Sequence, residues 1–346
     1  MKNFIYVILK YIGIFKISKY LFRKKLLILT YHGFEIHDEC SFCDNTLFIR
    51  APMLDEKMKY LKDHNFNVIS LNDAYNCLIS DKVLPDNSIV ITVDDGWYST
   101  LSLADPIFEK YDFPYTIYVS TYYCIKETPI LNIVLRYLIW AYKSDYFDSK
   151  QLNITAFSKT YSLKDTHKKS ELEKDLFDYF NKLESHEQRH DFIKKLMNVA
   201  DIDYDQIQSD RRFSTLTFAE VKMLSDKGVD IQLHTHRHCM PFEKENGVEK
   251  EINDNRDCLA PFVKNKLNHF CYPSGVYNHE CEQILKKCDV LTATTCDNGF
   301  VTAKNNVYYW PRFLDGVSIP QIVFEAEVCG INEIFRKIRS VLKPSK

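Results

Sequence analysis

The run Ser88-Ile-Val-Ile-Thr-Val-Asp-Asp-Gly96 constrains the fold more than any other stretch of the chain. Ile89, Val90, Ile91 and Val93 predict a strand covered on both faces, the pattern of a parallel sheet between helices. The strand stops on two carboxylates and on Gly96, which lets the backbone turn sharply. Parallel α/β folds carry their chemistry at the carboxyl ends of strands. Asp94 and Asp95 are therefore candidate site residues. For the tripeptide alone, a helix cap beside a solvated Asp is an equally good reading, and the rest of the sequence decides.

The same design recurs along the chain. Leu26-Leu-Ile-Leu-Thr-Tyr-His-Gly33 is an apolar strand ending on His32. A helix is predicted over Ala51 to His64, a strand over Asn67 to Ser70 and a helix over Leu71 to Ile79. A helix from Leu103 to Tyr111 and a strand from Tyr115 to Ser120 follow, a βα alternation that points to parallel pairing. The rhythm breaks over residues 124–212, which are charged and carry apolar residues at three- and four-residue spacing. No glycine lies between Gly96 and Gly228. The segment is read as a helical insertion able to roof a cleft.

The alternation resumes at Thr217-Phe-Ala-Glu220, a capping box, and Gly228 closes that helix in a left-handed turn. The next strand, Val229 to Leu233, ends on His234-Thr-His-Arg-His238. Imidazoles four apart can reach one metal from a single turn, with Asp94 or Asp95 supplying an oxygen, and three protein ligands leave the open position of a catalytic zinc site. His236 is expected to face elsewhere. Strands are also predicted at His269 to Tyr272, Val290 to Thr295 and Val307 to Phe313, the last carrying Arg312. Residues 26–123 and 213–316 thus form two parts of one α/β barrel of about eight candidate strands. Residues 317–346 form two closing helices.

Residues 1–25 hold seven Lys or Arg and no acid. Lysines interrupt the apolar run, and no small-residue cleavage site follows, so neither a spanning helix nor a signal peptide is expected. Two readings stand: a basic amphipathic helix on an anionic membrane surface, or a helix packed on the protein's own core. A net charge of -2 gives no global attraction to nucleic acid. Eleven cysteines, an odd number, favour a reducing, cytoplasmic setting, on the inner face of the membrane if the amino-terminal helix binds there. Cys40 and Cys43 form a single Cys-x-x-Cys pair with no second pair to complete a metal site.

Thr92-Val-Asp-Asp-Gly96, the segment Leu216 to Gly228 followed by His234-Thr-His-Arg-His238, and Phe270-Cys-Tyr-Pro-Ser-Gly275 together resemble the polysaccharide deacetylases of carbohydrate esterase family 4. The resemblance runs from about Leu26 to Phe313 and leaves the helical insertion unmatched. It implies a distorted (β/α)7 barrel and metal-dependent hydrolysis of the N-acetyl groups of amino sugars. It also implies Asp94 as general base, and Asp95, His234 and His238 as ligands of a divalent metal, Zn2+ by ligand type. The sequence departs from the family's pattern in two places. No arginine precedes Tyr272, so Arg312 is assigned the orientation of Asp94. No late Leu-x-His element supplies the acid, but Thr30-Tyr-His-Gly33 resembles the branch in which that histidine arrives on the first strand, which gives His32 the role.

On this reading Asp94 deprotonates a water, a backbone amide near Tyr272 to Ser274 faces the oxyanion, and His32 protonates the departing amine. Trp97, Tyr98, Tyr122, Tyr123 and Trp310 are candidate sugar platforms, although ordinary packing is the safer reading of each. The substrate would be an N-acetylated glycan or glycan precursor. Two histidines and a carboxylate also suit iron oxygenases, which have no use for the adjacent Asp94. A catalytically silent glycan-binding or scaffold relative at the membrane surface is the remaining alternative.

Overall fold

A computed structural model of the chain describes residues 2–43, 46–80 and 82–342. Met1 of the basic amino-terminal segment and residues 343–346 of the tail lie outside the described residues. The strands in chain order are β1 (Leu27–Tyr31), β2 (Gly33–Phe34), β3 (Phe48–Ile49), β4 (Asn67–Val68), β5 (Ser88–Val93), β6 (Thr116–Val119), β7 (Tyr146–Asp148), β8 (Thr160–Ser162), β9 (Asp230–Leu233), β10 (His269–Cys271), β11 (Thr292–Thr294) and β12 (Phe313–Leu314). Seven of them curl into an incomplete barrel in the order β11-β10-β9-β6-β5-β1-β12, with β4 paired to β5 beside that path. Every pairing in this sheet is parallel. A (β/α)7-type barrel is thus the architecture that the sequence predicted.

Residues alternate between two buried faces. Ile28, Val90, Tyr118 and Cys271 fill the barrel interior, with Trp310 and Val301. Their neighbours Leu27, Leu29, Ile89, Ile91, Ile117 and Ile231 pack outward against helices. Register then decides which residues meet at the mouth. Tyr31 pairs with Val93 and Val119 with Leu233, so His32, Asp94, Ser120 and His234 leave their strands at one level. Phe270 pairs with Leu233, which brings Cys271 beside His234.

The segment between β6 and β9 departs from an all-helical insertion. Helices span Tyr122–Lys126, Leu131–Ala141, Thr166–Lys182, His186–Ala200 and Tyr204–Ser209, but β7 and β8 form an antiparallel hairpin among them. Asp165 and Asp203 cap their helices, and Ser185 with Gln188 makes a capping box. The segment has its own core of Leu135, Leu138, Leu172, Leu176, Phe192 and Leu196, which reaches the barrel side through Phe48, Trp97 and Phe213.

Three further expectations change. Of the predicted strand Val307 to Phe313 only Phe313–Leu314 joins the sheet, because Pro311 has no N–H to donate, and Trp310 contributes one isolated bridge to Thr294. The predicted helix Leu103 to Tyr111 is Asp105–Lys110, entered through a π turn at Thr100–Ala104. The amino-terminal helix is two helices, Lys2–Tyr11 and Ile14–Phe22, broken at Gly13, whose φ of 83° is left-handed. The Thr217–Glu220 capping box and the left-handed Gly228 are present as predicted.

Candidate active site

The structure brings His32, Asp94, Asp95, His234, His238 and Arg312 together at the carboxyl ends of the strands. Asp94 ends β5 and is 2% exposed. Arg312, fully buried, donates from one terminal nitrogen to its Oδ1 and from the other to its Oδ2, each at 2.8 Å. Burial alone would raise the Asp94 carboxyl, but the guanidinium outweighs it and holds the acid below its ordinary range. The Arg312 Nε donates to the Thr295 carbonyl at 2.9 Å, which locks the fork in place. His32 stands on the open side, its Nε2 3.8 Å from Asp94 Oδ2, and its buried Nδ1 has no hydrogen-bond partner.

Asp95 turns away from the strand with φ 71°, a left-handed conformation that Asp tolerates better than most residues. Thr235 and His238 are left-handed as well, at φ 61° and 54°. Left-handed backbone thus occurs on both loops that carry the metal-ligand candidates. The Nε2 atoms of His234 and His238 each lie 3.1 Å from Asp95 Oδ1. The His234 Nδ1 faces the Cys271 carbonyl at 2.8 Å, the second hydrogen bond that fixes a ligating imidazole with Nε2 toward the metal position. The two imidazoles outweigh the desolvation of Asp95 and hold its carboxyl well below the usual range. Asn255, from the helix Gly247–Leu259, accepts from the His234 N–H at 3.0 Å and donates to the Val119 carbonyl at 2.9 Å. No pattern in the sequence marks Asn255.

Among the described residues, two sets of side chains have donor atoms close enough to share an ion: Asp95, His234 and His238, and Asp94, His234 and Cys271. The second is a poor cation site. Arg312 already places a positive charge 3.1 Å from the Cys271 sulfur, and burial pushes that thiol well above its ordinary range, so it stays protonated. The first offers one carboxylate, two imidazoles and an exposed side at His238, a donor set that suits zinc with a position left open.

Other expected site residues are placed differently. The Trp97 ring is 2% exposed and packs edge-on against Phe48, and its indole N–H donates to Asp95 Oδ2 at 3.0 Å. It braces the carboxylate instead of presenting a face to sugar. Trp310 is 1% exposed inside the barrel, so it has no open face for a sugar either. Tyr272 is fully buried and its amide donates to the Thr294 carbonyl, while Pro273 has no N–H. Of the trio proposed for the oxyanion, the amide of Ser274 is left, on an exposed residue at φ 55°. His236 faces away as expected, its Nδ1 2.8 Å from Thr121 Oγ1.

A cleft of about 530 Å3 opens from Asp95 and His238 between the barrel and the inserted segment. Ser120 lines it beside Asp95 and His238 on the barrel side, and Tyr122, Tyr123, Ile133, Glu184 and Arg189 on the segment between β6 and β9. Cys40 and Cys43 lie outside these clusters.

Residues 81–293 match the family model described as polysaccharide deacetylase. The Bacillus subtilis (strain 168) protein YxkH, a candidate polysaccharide deacetylase, is 28% identical over 95 residues, which cover 28% of this chain and 32% of that protein. The match therefore spans about a third of that relative's length. Among solved structures, the Streptococcus pyogenes deacetylase PplD in complex with acetate superposes with a TM-score of 0.58 at 16% identity, covering 88% of this chain and 99% of that one. IcaB from Ammonifex degensii gives 0.52 at 14% identity, covering 88% and 97%. At such identity these two likenesses establish the fold.

Proposed function

The chain belongs to the polysaccharide deacetylase family, and on that premise we propose that it hydrolyses the N-acetyl group of an amino sugar in a glycan or glycan precursor, releasing acetate. One observation carries this reading. A carboxylate clamped by an arginine and a carboxylate flanked by two imidazoles are adjacent in the chain, and both come within 4.8 Å of one imidazole, that of His234, through otherwise different partners.

A divalent cation held by Asp95, His234 and His238, Zn2+ by its donor set, would supply Lewis acidity to the acetamide carbonyl and to a water. Asp94 accepts the proton of the attacking water. It is fit for this because Arg312 keeps it ionised and fixes the direction of both its oxygens. The amide of Ser274 is the backbone donor assigned to the oxyanion. His32, 3.8 Å from Asp94 and the more exposed of the two, gives a proton to the sugar nitrogen as the C–N bond breaks, in keeping with the branch of the family whose acid lies on the first strand. Acetate and a free amino sugar result.

The odd number of cysteines, eleven, supports a cytoplasmic setting for the reaction. The test is acetate release from N-acetylated oligosaccharides by the parent and by Asp94→Asn. Loss of at least about 100-fold in the variant is expected for removal of a general base. Acetate release by Asp94→Asn at the parental rate would remove the assigned base. No release by the parent from any acetamido sugar would favour the silent, glycan-binding alternative.

A further inference from the structure

Of the eighteen exposed large apolar residues in the described chain, nine lie between Phe4 and Leu21. Their arrangement is ordered. At 100° per residue, Phe4, Ile5, Val7, Ile8, Tyr11 and Ile12 fall within one half of the circumference of the first helix. Tyr6, on the opposite side, is buried, and Leu9 packs beside it on the core. After the turn at Gly13 the second helix buries Phe15, Ser18 and Phe22 and leaves Ile17, Tyr20 and Leu21 outside. The inner face therefore accounts for the fold of these helices, and the outer face has no use within it. A folded chain seldom leaves so continuous an apolar surface open unless something covers it.

Charge says what covers it. Residues 1–25 contain seven Lys or Arg and no acid, in a protein of net charge -2. Lys10 reaches Glu325, and Arg23 and Lys24 reach Asp86, while Lys16 stands exposed among the apolar residues. The closing helix Ile331–Leu342 lies alongside. Tyr6 donates to Asn332 Oδ1 at 2.6 Å, and Lys337 stands over the Phe22 ring at 5.5 Å. Among the described residues no helix is long and apolar enough to cross a membrane. An apolar face on two helices that carry basic residues and no acid of their own matches the requirements of a helix lying flat at an anionic lipid surface. A protein partner would account for the apolar face but not for the absence of acid from the two helices that present it.

We propose that the outer face of the helices Lys2–Tyr11 and Ile14–Phe22 docks on an anionic membrane surface. The geometry is compatible with an open cleft. The Arg23 carbonyl accepts from the N–H of Asn87, immediately before β5, so these helices meet the sheet at the amino ends of its strands, away from the site.

The test uses the full chain, sedimented with phosphatidylcholine vesicles with or without phosphatidylglycerol. The parent is expected to bind the anionic vesicles at least about 10-fold more tightly, and less tightly as salt rises. Phe4→Asp combined with Ile8→Asp should weaken that binding by about 100-fold, with circular dichroism and Tm like the parent's, since both positions are exposed. Lys16→Glu should reduce the preference for anionic lipid. The proposal is overturned by failure to sediment with either vesicle or by equal affinity for both. It is equally overturned by a dimer that the Phe4/Ile8 double variant abolishes in the absence of vesicle binding, which would assign the face to a second copy of the chain. Acetate release does not enter any of these readouts, so this inference and the assigned reaction fail separately.

Discussion

Arg312 grips both oxygens of Asp94 at 2.8 Å across 218 positions of sequence, with neither side chain more than 3% exposed. The guanidinium comes from just before β12 and the carboxylate from the end of β5, with β1 between them in the sheet. The pair fixes both oxygens of a buried carboxylate, and the Arg312 Nε ties it to the residue after β11 through the Thr295 carbonyl.

Breaking that pair should separate its counter-charge from its geometry. Arg312→Met leaves a buried carboxylate without its counter-charge and is expected to lower unfolding stability by about 3–5 kcal/mol. Urea denaturation reads this directly. Arg312→Lys keeps a charge but not the fork, so kcat should fall further than stability does. Equal stability of Arg312→Met and the parent would show the pair to be inconsequential.

Metal content tests the cluster of Asp95, His234 and His238. The parent should carry about one divalent ion per chain by elemental analysis, and Asp95→Asn or His238→Ala should carry far less. Treatment with a chelator should abolish acetate release, and added Zn2+ should restore it. Parental metal content in Asp95→Asn would place the ion elsewhere.

Trp97→Phe keeps the ring but deletes the N–H that holds Asp95 Oδ2 at 3.0 Å. A loss of about 10- to 100-fold in metal affinity is expected, the range for a group that orients a ligand. Competition with a chromophoric chelator measures it.

His32→Gln should lower kcat by about 100- to 10,000-fold with KM little changed, as for a lost proton donor. Steady-state acetate release separates the two constants. A rise in KM at constant kcat would make His32 a binding residue.

His269, at the start of β10 and away from the mouth, is pushed down from 6.5 to about 4 by burial. Above pH 6.5 the histidine is neutral in both the folded and unfolded chains and does not affect stability. As pH falls from 6.5 to about 4 the unfolded chain takes up a proton that the folded chain refuses, and about 3 kcal/mol of stability is lost. His269→Gln should flatten this part of the stability profile, read by urea denaturation at stepped pH.

What could be read from the sequence follows a physical divide. Asp94, Asp95, His32 and His234 were legible because each follows an apolar strand, and parallel register brings strand ends to one level. Arg312 could be placed because a missing arginine elsewhere required a substitute. Trp97 and Trp310 were candidate platforms with packing as the safer reading, and both rings are packed: Trp97 turns its N–H to a carboxylate, and Trp310, before Pro311, stays inside the barrel. Asn255 was invisible because its contacts come from helix placement rather than from a local pattern. The β7–β8 hairpin was hidden within a charged segment of helical spacing.

In an unbroken strand, residues 94 and 95 would project to opposite sides of the sheet. The left-handed twist at Asp95 cancels this and lets two successive acids approach the same imidazole, that of His234. The division of labour between them therefore depends on one α-carbon. A side chain branched at Cβ in that position would oppose the twist even if it could bind an ion, so a transplanted version of this site must carry the turn along with the acids.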